Sequence, residues 1–158
     1  MTTIPVQDRY DNTVTMCYGC GTNNEFGHQV KTYWNGKCGV TRFIPKPYHT
    51  AIPGFVYGGL IASLVDCHST GTGSAFATEL LFPSDTSHPA VRFVTASLHV
   101  DYVKPTPLGP ELVLTGFIKT HHNRKITVES VLEVNGIITV RSQVIVVEMP
   151  ASFLNILC

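Results

Sequence analysis

The chain has 158 residues, a formal net charge of +0 at pH 7 and 14% charged residues, against roughly 25% in an average soluble domain. This length predicts one compact domain with its own core. The neutral balance excludes the concentrated basic face of a nucleic-acid binder, and the 44% hydrophobic content excludes general disorder. Because so few charges cannot cover a monomer's surface, the composition favours a homo-oligomer.

The start of the chain has neither an apolar run nor a basic leader, and no stretch reaches the roughly 18 apolar residues of a membrane span. We therefore expect a cytoplasmic protein without a membrane contact, in which the five cysteines are reduced. Cys17 and Cys20 form a CxxC pair, but no second pair follows, so Cys38 and Cys67 would each have to join singly. The pattern favours a structural turn with free thiols over a metal or redox site, and we predict no metal.

The predicted elements divide the chain into an irregular N-terminal leader, residues 1–26, and a single domain, residues 27–158. Two strands come first and are joined by Asn35 and Gly36, a pair that suits a type I′ turn because both tolerate positive φ. One long helix and four strands rich in Val, Ile and Thr follow. The strands are predicted at 28–34, 37–44, 91–103, 111–120, 125–134 and 137–148, and the helix at about 58–81. One helix and a meander of strands share a core only if the sheet curls around the helix, which makes the fold class α+β.

The predicted helix has two unlike faces. Asp66 is its only charged residue from Gly58 through Thr78. At about 100° per residue, the bulky residues point away from Asp66 and can pack on the sheet. The small residues share its side: Gly59, Ala62, Ser63, Ser69, Thr70, Gly73 and Ala77. Another backbone can approach that small face closely. An unpaired buried charge is costly, so Asp66 needs either a structural hydrogen-bonding partner or a catalytic role.

Gly58 and Gly59 stand where the helix begins. The bare amides of a helix start suit an oxyanion or a polarised carbonyl, although close packing alone also explains two glycines. Gly58 and Asp66 are eight residues apart, about 12 Å along one helix, which is too far for both to touch one carbonyl. Two antiparallel copies of the helix would bring Gly58 of one chain to Asp66 of the other.

Residues 53–66 (PGFVYGGLIASLVD) resemble the signature of the hotdog-fold acyl-CoA thioesterases, in the PaaI-like (phenylacetate-pathway thioesterase) branch. In that family His-Gly-Gly opens the central helix and a catalytic Asp follows nine residues after the His. Tyr57 and Asp66 keep this spacing. The order of elements matches over about residues 27–148, and residues 17–21 (CYGCG) resemble a leader found in some members. The resemblance implies a hotdog fold, a curved antiparallel sheet of about five to six strands around one long central helix.

The resemblance also implies roles for individual residues. The Gly58 amide would polarise the thioester carbonyl, and Asp66 of the opposite subunit would act as nucleophile or as general base for water. The family often has a Ser or Thr near this carboxylate on the strand after the helix, and here Thr95 is preferred over Ser97. Tyr57 would take the catalytic position of the usual His.

A second departure from the family lies in the loop before the helix. Ala51 stands where an Asn is often found. His49 is near enough to substitute, although a solvated loop histidine is the favoured interpretation. His68 follows Asp66 on the bulky face and is interpreted as a hydrogen-bonded core histidine.

Substrate contacts are expected from Gly59, Ser69 and Thr70 on the small face. Arg124 and Lys125 lie in a basic turn that could hold the phosphates of coenzyme A, although the pattern favours a merely solvated turn somewhat more.

We predict a thioesterase that hydrolyses an acyl-CoA or related thioester in a homodimer, with coenzyme A as part of the substrate and no other cofactor. Stacking of two dimers into a tetramer stays open, as do acyl length and polarity. A non-catalytic acyl-CoA sensor on the same fold is the alternative, because the usual His and Asn are lost, while retention of Asp66 disfavours it. A hydratase or dehydratase of this fold would need a catalytic His near the helix.

Overall fold

The computed structural model describes residues 4–83, 85 and 87–157, and of 155–157 it describes the backbone alone. The first three residues of the predicted leader and Cys158, the last residue of the predicted domain, therefore lie outside it. The strands are β1 Thr32–Trp34, β2 Cys38–Phe43, β3 Phe93–Tyr102, β4 Leu112–His122, β5 Lys125–Val134 and β6 Ile137–Glu148. The helix α1 spans Gly58–Leu81, and short 3-10 turns occupy Val6–Arg9, Asn12–Val14 and Ala151–Leu157.

In the described residues, six antiparallel strands form one sheet in the order β1-β2-β4-β5-β6-β3. The helix α1 contacts every strand of this sheet. One sheet can reach a single helix with all of its strands only by curving round it. The predicted α+β hotdog architecture is therefore confirmed, with β1 and β3 at the two edges.

The first hairpin differs from its prediction. Gly36 has a φ of 85°, but Asn35 does not have positive φ, and β2 begins only at Cys38, so the turn is not type I′. Instead the Asn35 side-chain oxygen accepts from the amides of Lys37 and Cys38, at 2.9 Å and 2.8 Å. The second hairpin has positive φ at both Asn135 (50°) and Gly136 (76°), as a type I′ turn requires.

Strand β1 is also shorter than the predicted 28–34. Gln29 has a φ of 55°, which interrupts an extended backbone. Its side-chain amide donates to the carbonyl oxygens of Gly21 and Asn24, at 2.8 Å and 2.5 Å. The segment before β1 therefore holds the leader in place instead of pairing with β2.

The leader packs against the second half of α1. Gln7 is buried, its side-chain oxygen accepts from the Thr32 amide at 2.7 Å, and its side-chain nitrogen donates to the Thr32 hydroxyl at 3.1 Å. Val6 and Tyr10 join a buried cluster with Trp34 and Ala75. The leader therefore shields this part of α1 from solvent.

Only the first half of the predicted small face stays open. Ser69, Thr70, Gly73 and Ala77 are buried within the chain. The open part of the helix, which we call the open stripe, is formed by Gly59, Ala62, Ser63 and Asp66. No helix in the described part of the chain is both long and apolar enough to cross a membrane.

Candidate active site

The helix α1 begins with bare amides. Tyr57 is its extended N-cap residue and offers no side-chain cap, and the first internal hydrogen bond runs from the Ile61 amide to the Tyr57 carbonyl at 3.2 Å. The described part of the chain places no acceptor on the amides of Gly58 and Gly59. These N–H groups carry the positive end of the helix dipole, so they suit a polarised carbonyl oxygen.

Tyr57 lies beside these amides. Its side chain is exposed, and a Cβ at Gly59 would come within 2.5 Å of its ring and hydroxyl. The backbone amide of Tyr57 donates to the His49 carbonyl at 2.9 Å, which fixes the loop to the helix start. The tyrosine ring thus lies directly over the second glycine, and a larger residue there would displace the ring.

Tyr102, at the end of β3, is a site residue that the sequence does not indicate. Its hydroxyl donates to the Gly58 carbonyl at 2.8 Å, and its ring packs against that glycine. Partial burial, and then the neighbouring Tyr57, raise the pKa of the Tyr102 phenol, which keeps it a neutral donor. No local pattern predicts this contact, because 44 residues separate the two partners.

Asp66 lies two turns further along the open stripe and is partly buried. The Thr95 hydroxyl donates to its carboxylate. Burial raises the pKa of Asp66 above the ordinary value, and the hydrogen bond from Thr95 opposes this rise. A bulge between Thr95 and Ser97 shifts the register of β3 against β6. Thr95, and not Ser97, therefore contacts the carboxylate.

Within one chain the amides and the carboxylate stay apart. Eight residues along one helix separate Gly58 from Asp66, a distance of about 12 Å. Gly59, directly after Gly58, and Asp66 are both members of the open stripe, so the start of the helix and the carboxylate border one exposed surface. Leu98 and Tyr102 on β3 add exposed apolar surface, with 41% and 52% of each residue accessible.

A cleft of about 420 Å³ opens beside the helix start. It is lined by Tyr18, His28, Tyr48, His49, Thr50, Tyr57, Gly59, Leu60 and Ser63. Aromatic and imidazole rings dominate one wall and the open stripe forms the other. The cleft can therefore take a flat or apolar group next to the bare amides.

His49 is not the solvated loop histidine that the sequence favours. Its ring stacks on Phe43 with centroids 5.8 Å apart, and His28 meets it edge-on at 5.6 Å. Its Nδ1 accepts from the Lys46 amide at 3.1 Å. Partial burial, followed by the charge of Lys46, lowers the pKa of His49, which favours a neutral imidazole at the cleft. Ala51, in the same loop, contributes no polar side chain.

The other predicted substrate contacts lie away from the helix start. Ser69 and Thr70 are buried, and the Thr70 hydroxyl donates to the Cys67 carbonyl at 3.1 Å. Arg124 and Lys125 are exposed in the β4–β5 turn, and Arg124 forms a 3.4 Å ion pair with Glu148. Within one chain, the structure does not bring either pair together with Gly58.

His68 has the core position that the sequence predicts. It is fully buried, and its Nδ1 is 2.9 Å from the Thr41 hydroxyl. Its ring packs against Gly116, where a Cβ would lie 2.5 Å from Nε2. His68 is therefore a packing residue of the helix and lies outside the candidate site.

A sequence model of the thioesterase superfamily matches residues 53–139. The chain belongs to this superfamily, and the resemblance seen in the helix motif is confirmed. A thioesterase superfamily protein from Shewanella loihica PV-4, known from its crystal structure, is 48% identical. The match covers 77% of this chain and 91% of that chain, with a TM-score of 0.64.

Two further relatives define the similarity. Acyl-coenzyme A thioesterase THEM4 of Xenopus laevis is 32% identical over 87 residues, which are 55% of this chain and 33% of THEM4. This chain thus spans about a third of the length of that relative. The PaaI protein of the E. coli phenylacetic acid degradation operon shares the fold, with a TM-score of 0.63 at 10% identity over 78% of this chain and 81% of that chain.

Proposed function

We propose that the protein hydrolyses an acyl-CoA or related thioester at sites formed between the two subunits of a homodimer. The observation that carries this proposal is the open stripe. It has bare glycine amides at one end and a hydrogen-bonded carboxylate two turns away. Within the described residues of one chain, the amides and the carboxylate do not meet. THEM4, whose name gives an acyl-CoA thioesterase activity, supports the substrate class.

Two-fold symmetry completes the site. When two antiparallel copies of α1 meet along the small residues of the open stripe, Gly58 of each subunit faces Asp66 of the partner subunit. The small side chains of Ala62 and Ser63 allow the two backbones to approach. The edge strand β3 lies beside this surface with one side unpaired, which extends the area that a second copy can cover.

The chemistry follows from these two groups. The thioester carbonyl accepts a hydrogen bond from the Gly58 amide, which stabilises the oxyanion of the tetrahedral intermediate. Asp66, held by Thr95, either attacks the carbonyl carbon or takes a proton from the attacking water. The C–S bond then breaks, and coenzyme A leaves as a thiolate and is protonated. If water attacks, the free acid forms directly; if Asp66 attacks, an acyl-aspartate anhydride forms, and its hydrolysis by water releases the acid and restores the carboxylate. This reaction needs no metal ion or cofactor.

The remaining groups are assigned to substrate binding. The Tyr57 hydroxyl stands at the cleft where relatives have an imidazole, so it can hydrogen-bond the substrate but is a poorer base near neutral pH. The aromatic wall of the cleft provides apolar contact for the acyl group. Arg124 and Lys125 supply positive charge for the phosphates. The four described cysteines are free thiols, in keeping with a cytoplasmic setting.

The test uses the purified protein, a panel of acyl-CoA compounds and a reagent that detects released thiol. Wild-type protein should release thiol, and Asp66→Asn should lower kcat by at least about 100-fold, because it removes the only proposed base or nucleophile. The control Asp101→Asn changes an exposed carboxylate on the outer face of the sheet and should retain activity. Equal activity in the Asp66 variant would contradict the mechanism.

An acyl-CoA sensor is the second candidate. Tyr57 and Ala51 favour it, because two polar groups of the catalytic pattern are replaced. Tight binding of acyl-CoA to wild-type protein without release of thiol would support the sensor and exclude hydrolysis.

A further inference from the structure

Three cysteines that are dispersed in the sequence meet beside the candidate active site. The sulfur atoms of Cys17, Cys20 and Cys67 all lie within 4.8 Å of one another, and those of Cys17 and Cys67 are 4.0 Å apart. Cys17 and Cys20 come from the leader, and Cys67 comes from α1 directly after Asp66. Cys20 and Cys67 are buried, whereas Cys17 is half-buried. We call these three residues the thiol cluster.

The spacing of the thiol cluster matches metal coordination. A tetrahedral ion with metal–sulfur bonds of about 2.3 Å holds its ligands roughly 3.8 Å apart. The distance between Cys17 and Cys67 is close to this value without any rearrangement. A disulfide needs a sulfur–sulfur distance of about 2.05 Å, and the described cysteines are free.

The turn that carries the first two cysteines is shaped to close on the third. A Cβ at Gly19 would lie 2.2 Å from the Cys67 sulfur, and a Cβ at Gly21 would lie 2.3 Å from the Thr15 carbonyl oxygen. Glycine at position 19 lets the turn reach the helix, and glycine at position 21 lets the turn fold onto its own backbone. The Gly21 amide donates to the Cys17 carbonyl at 2.7 Å, which closes the turn.

The charge around the thiol cluster suits an anionic metal site. Three thiolates around a divalent cation leave one net negative charge. The Arg92 guanidinium interacts electrostatically with both Cys17 and Cys20. The Nη1 atom of Arg92 is buried, and the described residues offer this nitrogen no hydrogen-bond partner. The guanidinium carbon lies 4.6 Å from the centroid of the Tyr10 ring. A negative centre at the thiol cluster would compensate this half-buried cation.

We propose that Cys17, Cys20 and Cys67 bind one thiophilic metal ion, of the class represented by Zn²⁺, which fastens the leader to α1 beside Asp66. Soft thiolate ligands select zinc over the hard cations that prefer oxygen. The three sulfurs leave a fourth tetrahedral position for a solvent-derived ligand. The ion takes no part in the hydrolysis proposed above and stabilises the fold by linking two segments distant in the sequence.

The test loads the reduced 158-residue chain with Zn²⁺ or Co²⁺. Elemental analysis should find one zinc per chain after desalting, and Co²⁺ should produce the near-ultraviolet charge-transfer absorption of thiolate ligands. Cys17→Ser and Cys67→Ser should lose the absorption and at least about tenfold in affinity. The matched control Cys38→Ser changes a buried free cysteine outside the cluster and should bind as the wild type does.

A thermal measurement tests the proposal even if Cys67→Ser, at a buried position, does not fold. Cys17 is half-buried, so Cys17→Ser should fold even if Cys67→Ser does not. Removal of zinc with a chelator should lower Tm in the wild type and in Cys38→Ser, and should leave Tm unchanged in Cys17→Ser. Absence of cobalt–thiolate absorption in the reduced wild type, or equal binding by Cys17→Ser, would overturn the proposal and leave the cluster as packed thiols.

Discussion

Gly58 is the residue on which the proposed chemistry depends most directly. It is the first residue of α1, so its amide has no acceptor within the helix. Its carbonyl oxygen accepts a hydrogen bond from the Tyr102 hydroxyl. The preceding residue, Tyr57, has φ −60° and ψ 127°. This extended conformation is the one that a residue before proline adopts most readily. Proline is tolerated at the first helical position, where its missing N–H costs no helical hydrogen bond.

The variant Gly58→Pro therefore removes the proposed oxyanion donor and leaves the helix start intact. We expect kcat to fall by about 10²–10³-fold, the usual cost of one oxyanion donor. Gly58→Ala keeps the amide, and its Cβ makes only ordinary contact with Tyr102 at 3.6 Å, so it should lose much less. Thiol release and circular dichroism measure the two effects. Similar losses in both variants would assign the effect to packing.

His68 gives the fold an acid sensitivity. Complete burial lowers the pKa of His68 to about 3, while the unfolded chain titrates at the ordinary value of 6.5. Between these values the unfolded chain binds a proton that the folded chain does not, so stability falls as the pH falls. The loss approaches about 1.4 kcal/mol per pH unit below pH 6.5, and it is roughly 2 kcal/mol from pH 6.5 to about pH 4.5, because the unfolded histidine is already half protonated at pH 6.5.

Urea denaturation at these two pH values checks this prediction. In His68→Gln, which keeps a polar group near Thr41, the difference in unfolding free energy between the two pH values should shrink by most of that amount. His122→Gln changes an exposed histidine and should leave the difference as it is in the wild type. An unchanged acid slope in His68→Gln would show that other groups cause the sensitivity.

At the scale of elements, glycines decide how closely α1 and the sheet approach. Gly39 on β2 faces Thr72, and Gly116 on β4 faces His68. A Cβ atom at either glycine would collide with the helix side chain opposite it. The helix can therefore carry hydroxyls and an imidazole toward the sheet because the strands provide glycine opposite them. This pairing of small strand residues with polar helix residues accompanies the complete burial of residues 67–75 of α1.

The variant Gly39→Ala tests this close approach. Its Cβ would lie 2.1 Å from the Thr72 hydroxyl, so the element spacing must change. We expect a loss of about 1–3 kcal/mol in unfolding free energy, typical of overpacking. In the double variant Gly39→Ala with Thr72→Ala the obstructing hydroxyl is gone, and at least half of the loss should return. Chemical denaturation of the four proteins measures the coupling, and simple additivity would contradict it.

Periodicity and turn chemistry predict the elements well. The bounds of α1, β5 and β6 coincide with their predictions. Gly58 marks the start of the helix, Pro83 follows its end, and the pair Asn135 and Gly136 marks the turn between the two strands. The prediction of β1 is wrong at its start, where Gln29 adopts positive φ to reach carbonyls of the leader. That conformation depends on a tertiary contact, so no local pattern could show it.

At the scale of the whole molecule, the proposed site depends on two chains. Each subunit would contribute Gly58 to one site and Asp66 to the other. The sequence could suggest this arrangement because both residues lie on one helix with a known rise. It could not indicate Tyr102. The pair Cys17 and Cys20 is visible in the sequence, but its approach to Cys67 is not, since these contacts join distant segments of the chain.

Mixing two inactive variants tests the shared site. In a mixed dimer of Asp66→Asn and Gly58→Pro chains, one site receives a wild-type Gly58 and a wild-type Asp66. The mixture, refolded or co-expressed, should recover about a quarter of the wild-type activity, because half of the randomly paired dimers are mixed and each has one intact site. Each variant alone should stay inactive. No recovery, with mixed dimers verified by mass spectrometry, would contradict a site shared between the two subunits.

The order of strands also constrains how the chain acquires its structure during synthesis. Strands β4, β5 and β6 follow one another through tight turns, whereas β3 pairs with β6, so that Phe93 lies opposite Glu148. Closing such a long loop costs more entropy than forming a hairpin, and it waits for the distant strand. During synthesis the residues of α1 are therefore available well before β6, the strand that pairs with β3 and positions Thr95. The hydrogen bond from Thr95 to the Asp66 carboxylate can form only after the ribosome has passed Glu148.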